Sequence, residues 1–386
     1  MAEHPEHDIV IVGGGPVGCA AALGLAPARR SVLLLDATPP LRSDDARTLA
    51  LSYGSRLILE RLGVWDHVTP RTDICTIHIS HRGGFGSTVL TAADAQTPAL
   101  GYVARYASVQ RALQKRLFGM PELTVQTGAR VVAVVQQADR VLITYDDARG
   151  QHLVSAALAV IADGGALAQQ LVPGETRDYE QCALVCNVTT SSPHRNRAFE
   201  RFTENGPVAL LPHEDGYAVV WTVAPDSSRD LSTTEPAAFL ARLQETFGTR
   251  VGKFSSVHDR AVFPLALRVA RSFEHGRMVL IGNAALALHP VAGQGLNLGL
   301  RDAWELASHV CSSASDGGVD SMLRLFLRQR QRDRRTSVFL TDAMVRTFSN
   351  RNLALQWLRG CGLTFLDCVP PVKRKFMQQM IFGTLW

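Results

Sequence analysis

The residues with the clearest chemical meaning are glycines in segments that lie far apart in the chain. The first segment, IVIVGGGPVGCAAALGLA, places Gly13, Gly15 and Gly18 in GxGxxG spacing directly after an apolar run. In that spacing one glycine permits a tight turn, the next lets backbone approach a pyrophosphate, and the last lets a helix pack close to a strand. The N–H groups at the start of the helix stabilise phosphate charge. The segment therefore predicts a dinucleotide-binding turn.

An acidic residue stands where such a site needs one. A second apolar run, SVLLLD, ends in Asp36, where a carboxylate accepts hydrogen bonds from ribose hydroxyls. A glycine turn by itself would also fit an ordinary tight connection between a strand and a helix. The glycines, the small-residue helix and the terminal acid together favour the dinucleotide.

Two later segments also end apolar runs in flexible backbone. ADGGA at 162–166 follows LAVI, and GNAALALHPVAGQGLNLGLRD at 282–302 follows RMVLI. FAD is long enough to contact all three sites, with its adenosine at the first and its flavin ring at the last. Contacts to FAD are predicted for Asp163, Gly164, Gly282, Asn283, Gly293, Gly295, Leu296 and Asn297. A Cβ at position 293 or 295 would hold the ring away, and the helix that follows faces the negative charge of reduced flavin.

The composition argues against several other classes of protein. The 386 residues exceed the usual size of a single hydrophobic core, so more than one domain is expected. MAEHPEHD lacks the apolar core of a secretory signal and no apolar run could span a bilayer, which predicts a cytoplasmic protein. Seven scattered cysteines without metal-ligand spacing predict reduced thiols and no metal site. Nucleic acid is not an expected partner, because no aromatic stacking platform or known binding module is present.

Two basic stretches leave two interpretations open. LRLFLRQRQRDRRTS contains arginines at 324, 328, 330, 332, 334 and 335, and VKRKFMQQMIFG places Lys373, Arg374 and Lys375 beside apolar residues. These stretches are either solvated helix faces or surfaces that dock to an anionic membrane or an acidic partner.

The motifs together resemble those of the class A flavoprotein aromatic hydroxylases, which have the p-hydroxybenzoate hydroxylase fold. The segments that carry the resemblance are GGGPVG, DARTLALS with Arg47, DG at 163–164, FERFTENGPVALLP at 199–212, GNAALALHPVAGQGLNLGLRD, and TDAMVRTFSN at 341–350. Within this class the chain is similar to the ubiquinone-biosynthesis hydroxylases. Asn283 favours their 2-polyprenyl-6-methoxyphenol hydroxylase branch.

The resemblance implies an α/β fold. A Rossmann-like FAD-binding domain would comprise residues 1–75, 100–178 and 276–330. A mostly antiparallel substrate-binding sheet would comprise 76–99 and 179–275, and a C-terminal helical segment would follow at 331–386.

The resemblance also implies a reaction and the residues near it. NAD(P)H would reduce FAD, a C4a-hydroperoxyflavin would form with O2, and oxygen would pass to a phenol ring that carries a polyprenyl tail. Arg47 and Gln110 are expected near FAD, although Arg47 could also be an ordinary surface cation. His289, Pro290 and Gly293 would form the loop beside the flavin ring, with His289 shaping that loop rather than acting as an acid or base. The implied location is the cytoplasm, at the inner face of a membrane, with an anionic surface or a ubiquinone-synthesis complex as partner.

Two positions depart from the pattern of the class. Asn283 replaces a usual aspartate, and Leu167 replaces a usual serine after DG with no arginine nearby, which puts the handling of NAD(P)H in doubt. Two alternatives stay open: a flavin hydroxylase of a soluble aromatic compound, and a non-catalytic scaffold in a quinone-synthesis complex.

Overall fold

A computed structural model describes residues 6–39, 45, 47–288, 293–312, 318–348 and 353–383. Within these ranges the strands are β1 (His7–Val12), β2 (Val32–Asp36), β3 (Thr48–Ser52), β4 (Arg71–Ile74), β5 (Thr76–His81), β6 (Ser87–Thr91), β7 (Gly101–Arg105), β8 (Leu123–Thr127), β9 (Arg130–Gln136), β10 (Val141–Asp147), β11 (Gly150–Ile161), β12 (Gly174–Thr190), β13 (Arg197–Thr203), β14 (Gly206–His213), β15 (Gly216–Val223), β16 (Phe254–Ala270), β17 (Glu274–His275), β18 (Met278–Leu280) and β19 (Leu286–Ala287). The helices are α1 (Pro16–Leu25), α2 (Tyr53–Arg61), α3 (Ala92–Ala95), α4 (Tyr106–Phe118), α5 (Ala166–Leu171), α6 (Pro225–Thr233), α7 (Pro236–Phe247), α8 (Gln294–Ser312), α9 (Gly318–Phe348), α10 (Leu353–Cys368) and α11 (Pro370–Phe382).

The first sheet brings the glycine-rich segments together. Its strand order is β17-β18-β11-β1-β2-β8, and β10 and β9 extend it from β11. The pairs β1 with β11, β1 with β2, β2 with β8, and β11 with β18 are all parallel. Because parallel strands end at one edge of a sheet, the turns at 13–15, 162–165 and 282–284 lie along the same edge. Both faces of this sheet are buried, one under α1, α4 and α8 and the other under β9, β10 and α5, which is why β1 reads as an unbroken apolar run.

Small residues let α1 pack closely against α8. Cys19 and the three alanines that follow it are buried in the same core as Ala307 of α8. A Cβ on Gly24 would lie only 2.8 Å from the Cβ of Ala307. The sequence CAAALGLA therefore sets the distance between the glycine turn and the helix that starts at residue 294.

The second sheet is mostly antiparallel and has two different faces. Its order is β19-β16-β12-β15-β14-β13-β5-β6, with β13 and β5 as a parallel pair. Aromatic side chains on one face, including Phe199 and Trp221, pack with Phe239 and Phe247 of α7. The opposite face borders a cavity that also reaches the turns of the first sheet. A small third sheet, β3-β7-β4, completes the strand layers.

The arginine-rich part of α9 is not a uniform solvated face. Arg330 and Arg334 are 1% and 2% exposed, and both donate to Asp302 of α8 at 2.8 Å. Asp333 accepts from Arg330 at 2.7 Å and from Arg301 at 3.2 Å. The expectation of a solvated or docking face is therefore wrong for Arg330 and Arg334, because carboxylates from the preceding helix and from α9 itself pair with them. The other four arginines of the stretch are exposed.

The last helix packs against the body of the protein. Met377 and Ile381 of α11 are buried with Leu90 and Leu100. The carbonyl oxygen of Ile381 approaches Gly54 so closely that a Cβ there would lie 2.6 Å from it. Among the helices in the described ranges, none has the length and apolar character needed to cross a bilayer. All seven cysteines are free thiols.

Candidate active site

One large cavity, of about 1110 Å³, lies between the first and second sheets. Two of its surfaces are different enough to be named separately. The nucleotide wall consists of residues 13–17, Asp36, residues 162–164, Asn283 and residues 293–297. The sheet wall consists of the cavity-facing residues of β5 and β12–β16.

The first glycine turn divides its glycines between packing and ligand space. Gly13 has φ +106°, and a Cβ there would lie 2.6 Å from the carbonyl oxygen of Ala162. A Cβ on Gly18 would collide with the carbonyl oxygen of Gly13. At Gly15, however, a Cβ would meet nothing closer than Tyr106 Oη at 3.9 Å. Gly13 and Gly18 are thus required by the fold, whereas Gly15 faces open space at the N-terminus of α1.

Gln110 supports this turn from behind. Its Nε2 donates to the carbonyl oxygen of Gly14 at 2.6 Å, and its side chain is buried. It is absent from the cavity lining. The structure therefore places Gln110 close to the predicted FAD site as a residue that fixes the turn.

Asp36 ends β2 beside the same turn. Its carboxylate contacts the Cα side of Gly14, where any Cβ would collide with it. Its Oδ1 accepts from the backbone N–H of Thr38 at 3.2 Å. The carboxylate borders the cavity, so its remaining acceptor capacity is available to a ribose.

The DG turn is held by its own aspartate. Asp163 accepts from the backbone N–H of Gly165 at 3.1 Å and of Leu167 at 2.5 Å, which caps the start of α5. Gly164 has φ +82°, and a Cβ there would meet no atom within 4 Å. A guanidinium nitrogen of Arg268, on β16, lies 3.8 Å from where a Cβ on Gly165 would be. A cation missing from the local motif is thus supplied from a distant strand, and no local sequence pattern indicated Arg268.

The turn at 282–284 rests on the buried ion pairs of α8 and α9. The backbone N–H of Gly282 donates to Asp302 Oδ2 at 3.1 Å, while Asn283 is exposed to the cavity. Burial alone would raise the pKa of Asp302, but the guanidiniums of Arg334 and Arg330 overcome that effect and hold the pKa below its usual value. Asp302 therefore stays ionised, and its carboxylate fixes the backbone of the turn through Gly282.

Asn297 is a structural tie between α8 and the strand β3. Its Oδ1 accepts from Ser52 N at 2.8 Å and from Ser55 Oγ at 2.7 Å. Its Nδ2 donates to the carbonyl oxygens of Ala50 and Gly293 at 2.9 and 2.7 Å. All four hydrogen-bonding positions of the amide are in use. Any contact of Asn297 with FAD would therefore come from its backbone.

The neighbouring glycines leave space beside this tie. A Cβ on Gly295 would meet nothing nearer than Asn283 Oδ1 at 3.8 Å, and Gly293 has φ +60°. Leu296 lines the cavity next to them. His289 and Pro290, predicted for the loop beside the flavin ring, lie outside the described residues.

Arg47 borders the cavity with its charge already paired. It forms an ion pair with Asp45 and lies 5.1 Å from the ring centroid of Tyr106 and 5.5 Å from that of Phe263. Burial would raise the pKa of Asp45, but hydrogen bonds from Arg47 hold it below its usual range. Arg47 is exposed to solvent and also lines the cavity at the junction of the two walls.

The sheet wall is apolar along most of its length. Alternate residues of each strand face the cavity, as in any pleated strand. Among those residues are Ile79, Ala209, Leu211, Ala218, Val220 and Phe263. From α10 and α11 the cavity is closed by Leu363, Leu366, Phe376, Met377, Met380 and Ile381. This wall suits an apolar ligand.

Glu200 is one of the few polar side chains on this wall, and the sequence did not single it out. It lies on β13 between Ala198 and Phe202, which face the cavity on the same side. Burial raises the pKa of its carboxyl to about 7. An acid in an alternating strand has no recognisable signature until the strand's register and facing surface are known.

The nucleotide wall fits FAD on the structure's own evidence. No described residue fills the space in front of Gly15, Gly164 and Gly295, and these points lie along one edge of the first sheet. The helices α1 and α8 both begin at this edge, and their N-termini favour negative charge. Within the described residues, no cluster of three or more His, Cys, Asp or Glu could hold a metal ion.

Comparison with known sequences agrees with this geometry. The family described as FAD binding domain matches residues 6–337. Ubiquinone hydroxylase UbiL from Rhodospirillum rubrum is 33% identical over an alignment that covers 98% of this chain and 90% of that protein. The 3-demethoxyubiquinol 3-hydroxylase from Escherichia coli is 28% identical, with 98% of this chain and 99% of that protein covered.

Comparison with solved structures confirms the predicted fold class. The p-nitrophenol 4-monooxygenase from Pseudomonas putida DLL-E4 superimposes with a TM-score of 0.80 at 19% identity, covering 98% of this chain and 99% of that one. The family match and the hydroxylase relatives confirm the expected cofactor, FAD, and the expected enzyme class. The chain therefore belongs to the FAD-binding-domain family, as an FAD-dependent hydroxylase of aromatic rings whose relatives include the ubiquinone hydroxylases.

Proposed function

We propose that this enzyme hydroxylates the ring of a phenol that carries a polyprenyl tail, as a step in ubiquinone synthesis. The observation that carries the proposal is the continuous cavity, whose nucleotide wall suits FAD and whose sheet wall and C-terminal helices are apolar. A ring beside the nucleotide wall would leave its tail against Ile79, Leu211 and the apolar residues of α10 and α11. The names of the relatives support this substrate class.

Each wall has a separate task in the proposed reaction. When bound and reduced by NAD(P)H, FAD supplies the activated oxygen that is transferred to the ring. Asp36, the turn at Gly15 and the N-termini of α1 and α8 hold the nucleotide and its negative charge. The apolar side chains of the sheet wall orient the ring and exclude water. Arg268 stands beside the DG turn, where it would attract the phosphates of NAD(P)H.

The proposal is tested with the flavin-loaded protein, NADH or NADPH, and ¹⁸O₂. A phenol with one isoprene unit is compared with the same phenol without it, and the products are analysed by mass spectrometry. We expect one ¹⁸O atom in the ring and a higher kcat/KM for the prenylated phenol. Turnover of the unprenylated phenol with equal kcat/KM would favour the soluble-substrate alternative. The comparisons do not favour a non-catalytic scaffold.

We further propose that the enzyme collects this lipid substrate by peripheral contact with an anionic membrane. Phe85, Trp357 and Phe365 are 44%, 66% and 56% exposed, and the rings of Phe85 and Trp357 are 4.9 Å apart. We call these three residues the apolar patch. Leu363 and Leu366 on the same helix line the cavity, so a lipid tail would have a short apolar route inwards. Exposed Arg374 and Lys375 lie on the following helix.

The apolar patch lies on α10 and before β6, whereas the sequence indicated α11 as the segment that would contact a membrane. Phe376 and Phe382 are partly buried and Met377 and Ile381 are fully packed, so α11 offers few apolar side chains to a membrane. We therefore expect Trp357→Ser with Phe365→Ser to reduce co-sedimentation with anionic liposomes. Leu153→Ser, which replaces a residue 60% exposed on β11, is the matched control. Equal binding by both variants would remove the apolar patch from the proposal, and binding only to a ubiquinone-synthesis complex would replace the membrane.

A further inference from the structure

Glu200 is a carboxyl with no partner among the described residues, on a wall whose side chains are mostly apolar. No hydrogen bond or ion pair joins its side chain to another described residue. Across the strand pairs it is opposite Ile79 on β5 and Ala209 on β14. Neither neighbour can donate a hydrogen bond from its side chain. The side chain is half-buried and lines the cavity, so a ligand that fills the cavity would have to supply its hydrogen-bond partner.

The charged groups around Glu200 are occupied elsewhere. His81, two positions beyond Ile79 on β5, has its Nε2 3.1 Å from Arg359 Nη1 of α10. Arg201 is on the opposite face of β13, with its guanidinium carbon 5.9 Å from the ring centroid of Phe247. Lys373 of α11 pairs with Asp367 and Asp94.

A second carboxyl borders the cavity but differs from Glu200. Asp259 of β16 accepts a hydrogen bond from Asn187 Nδ2 at 3.1 Å, and that contact is exposed to solvent. Asp259 thus already has a donor in the protein and is itself exposed. Asp259 therefore provides a natural control for a carboxyl in the same cavity.

We propose that Glu200 is a catalytic residue that accepts the hydrogen bond, and then the proton, of the substrate's phenolic hydroxyl. This inference rests on the proposed function for the identity of the ligand. Glu200, which has no partner among the described residues, places one hydrogen-bond acceptor between the apolar side chains of Ala198, Ile79 and Ala209, and an aromatic ring with a single hydroxyl would match that arrangement. An ether oxygen at that point would leave the carboxylate unpaired and would bind less well.

The proton transfer balances over one turnover. Glu200 takes the phenolic proton as the O–H bond breaks, and the phenolate oxygen donates electron density to the ring carbon that attacks the activated oxygen. The resulting dienone loses the proton of that carbon to water. The carbonyl oxygen then takes a proton back from Glu200, which restores the phenol and the carboxylate. The oxygen donor and reductant are those of the established hydroxylase activity.

The ionisation of Glu200 agrees with this role. Burial raises the pKa of the carboxyl to about 7. A base with a pKa close to the working pH combines a useful fraction of the ionised form with real basicity. The rate of hydroxylation should then rise as pH passes through this value.

Two substitutions separate binding from proton transfer. Glu200→Gln keeps an acceptor for the hydroxyl but cannot take its proton, so phenol binding should be nearly unchanged. Product formation in a single turnover should fall roughly 100-fold at neutral pH and recover towards about pH 10, where phenols ionise by themselves. Glu200→Leu removes the acceptor. It should reduce the preference for the phenol over its O-methyl ether by about tenfold.

The experiment uses flavin-loaded wild type, both Glu200 variants and Asp259→Asn. The probes are a phenol with one isoprene unit and its O-methyl ether, with affinities taken from flavin absorbance changes. Flavin content and thermal melting report folding of each variant. Asp259→Asn should keep the wild-type pH dependence of product formation. It should also keep the wild-type ratio of the affinities for the phenol and its O-methyl ether.

The outcomes distinguish this inference from the proposed function. A wild-type pH profile in Glu200→Gln, or an unchanged binding ratio in Glu200→Leu, overturns the role of Glu200 even if the wild type hydroxylates the phenol. A wild type that hydroxylates no prenylated phenol ends the proposed function. In that case the ratio of the affinities for the phenol and for its O-methyl ether still tests Glu200 as the partner of a ligand hydroxyl. A lower ratio in Glu200→Leu, with an unchanged ratio in Asp259→Asn, supports that role.

Discussion

Asp302 is a carboxyl fully buried behind the nucleotide wall, and Glu200 is a half-buried carboxyl on the sheet wall. Asp302 is paired with Arg330 and Arg334 and also accepts from the backbone of Gly282. Glu200 has no such partner among the described residues. The pKa values accordingly move in opposite directions, downwards for Asp302 and upwards for Glu200. A carboxylate with partners on several elements stabilises the packing of those elements. A carboxylate without a protein partner can accept a hydrogen bond from a ligand.

The same contrast separates the two walls. The nucleotide wall is made of turns whose backbone is fixed by side chains behind it, such as Gln110, Asp302 and Asn297. The sheet wall is made mostly of apolar side chains, which recognise a ligand by its shape, with a few polar groups among them. Cofactor binding should therefore be sensitive to single backbone positions, and substrate binding to the few polar groups.

The largest expected effect comes from filling ligand space without disturbing the fold. Gly15 has φ −66° and ample room for a Cβ, so Gly15→Val should fold normally but lose FAD completely. Absorbance of the purified protein measures the flavin, and thermal melting of the apoprotein measures the fold. Gly18→Val is the contrasting variant, since a Cβ there collides with backbone and should prevent folding. Normal flavin content in Gly15→Val would show that the pyrophosphate lies elsewhere.

Removing the paired carboxylate should destabilise the protein itself. Asp302→Ala removes the carboxylate partner of buried Arg334 and leaves buried Arg330 with Asp333 alone, and it should lower the free energy of unfolding by about 3–5 kcal/mol. Urea denaturation measures this change. As a control, Asp230→Ala breaks the exposed ion pair with Arg242 and should cost less than about 1 kcal/mol. If both variants lost a similar free energy of unfolding, Asp302 would not have the structural role assigned to it here.

A smaller effect is expected at the ribose end of the nucleotide wall. Asp36→Ala should weaken FAD binding by about 1–3 kcal/mol, because hydrogen bonds from the ribose to a carboxylate are lost. Titration of apoprotein with FAD, followed by flavin fluorescence, gives the change in Kd. Asp163→Asn keeps an acceptor for the cap of α5 and serves as a comparison at the DG turn. An unchanged Kd for Asp36→Ala would make Asp36 a residue of the turn only.

The smallest effect concerns the pH dependence of stability. The pKa of Glu200 is about 7 in the fold and 4.5 when unperturbed. The folded state therefore binds more protons, and stability falls as pH rises from about 4.5 to about 7, then levels off. Glu200→Gln does not titrate and should be more stable than wild type by about 1–2 kcal/mol above pH 7, with water in the cavity reducing the full linkage value. Melting curves without substrate at about pH 5 and pH 8 measure the stability of Glu200→Gln relative to wild type. A variant that is more stable than wild type at pH 5 only would contradict this prediction.

Local motifs explain which parts of the site the sequence could predict. The turn at 13–18, Asp36, the DG turn and the glycines at 293 and 295 each follow an apolar strand or precede a helix within a few residues. Their spacing alone indicates backbone next to phosphate or a ring. The parallel order of the strands then brings them to one edge. The predicted domain boundaries remain predictions, although β5 and β6 do join β12–β16 in one sheet.

Contacts between distant elements explain what the sequence did not reveal. Arg268 reaches the DG turn from β16, and Arg330 meets Asp302 from another helix. Neither pairing has a local pattern. Whether Glu200 lines the cavity depends on which face of β13 is turned towards it. A shift of one residue in register would turn Glu200 to the opposite face. Met377 of α11 looked available to a membrane because amphipathic character does not say which surface a helix covers.

The position of β11 between β1 and β18 has a consequence for how the protein is assembled. His7 pairs with Ala156, and Ala159 pairs with Met278. Long chain loops must close before these pairs form, and such closure slows folding. The edge that receives FAD is complete only after β18 has joined. FAD should therefore act late, by trapping chains whose first sheet has already formed, and should slow their unfolding more than it speeds their folding.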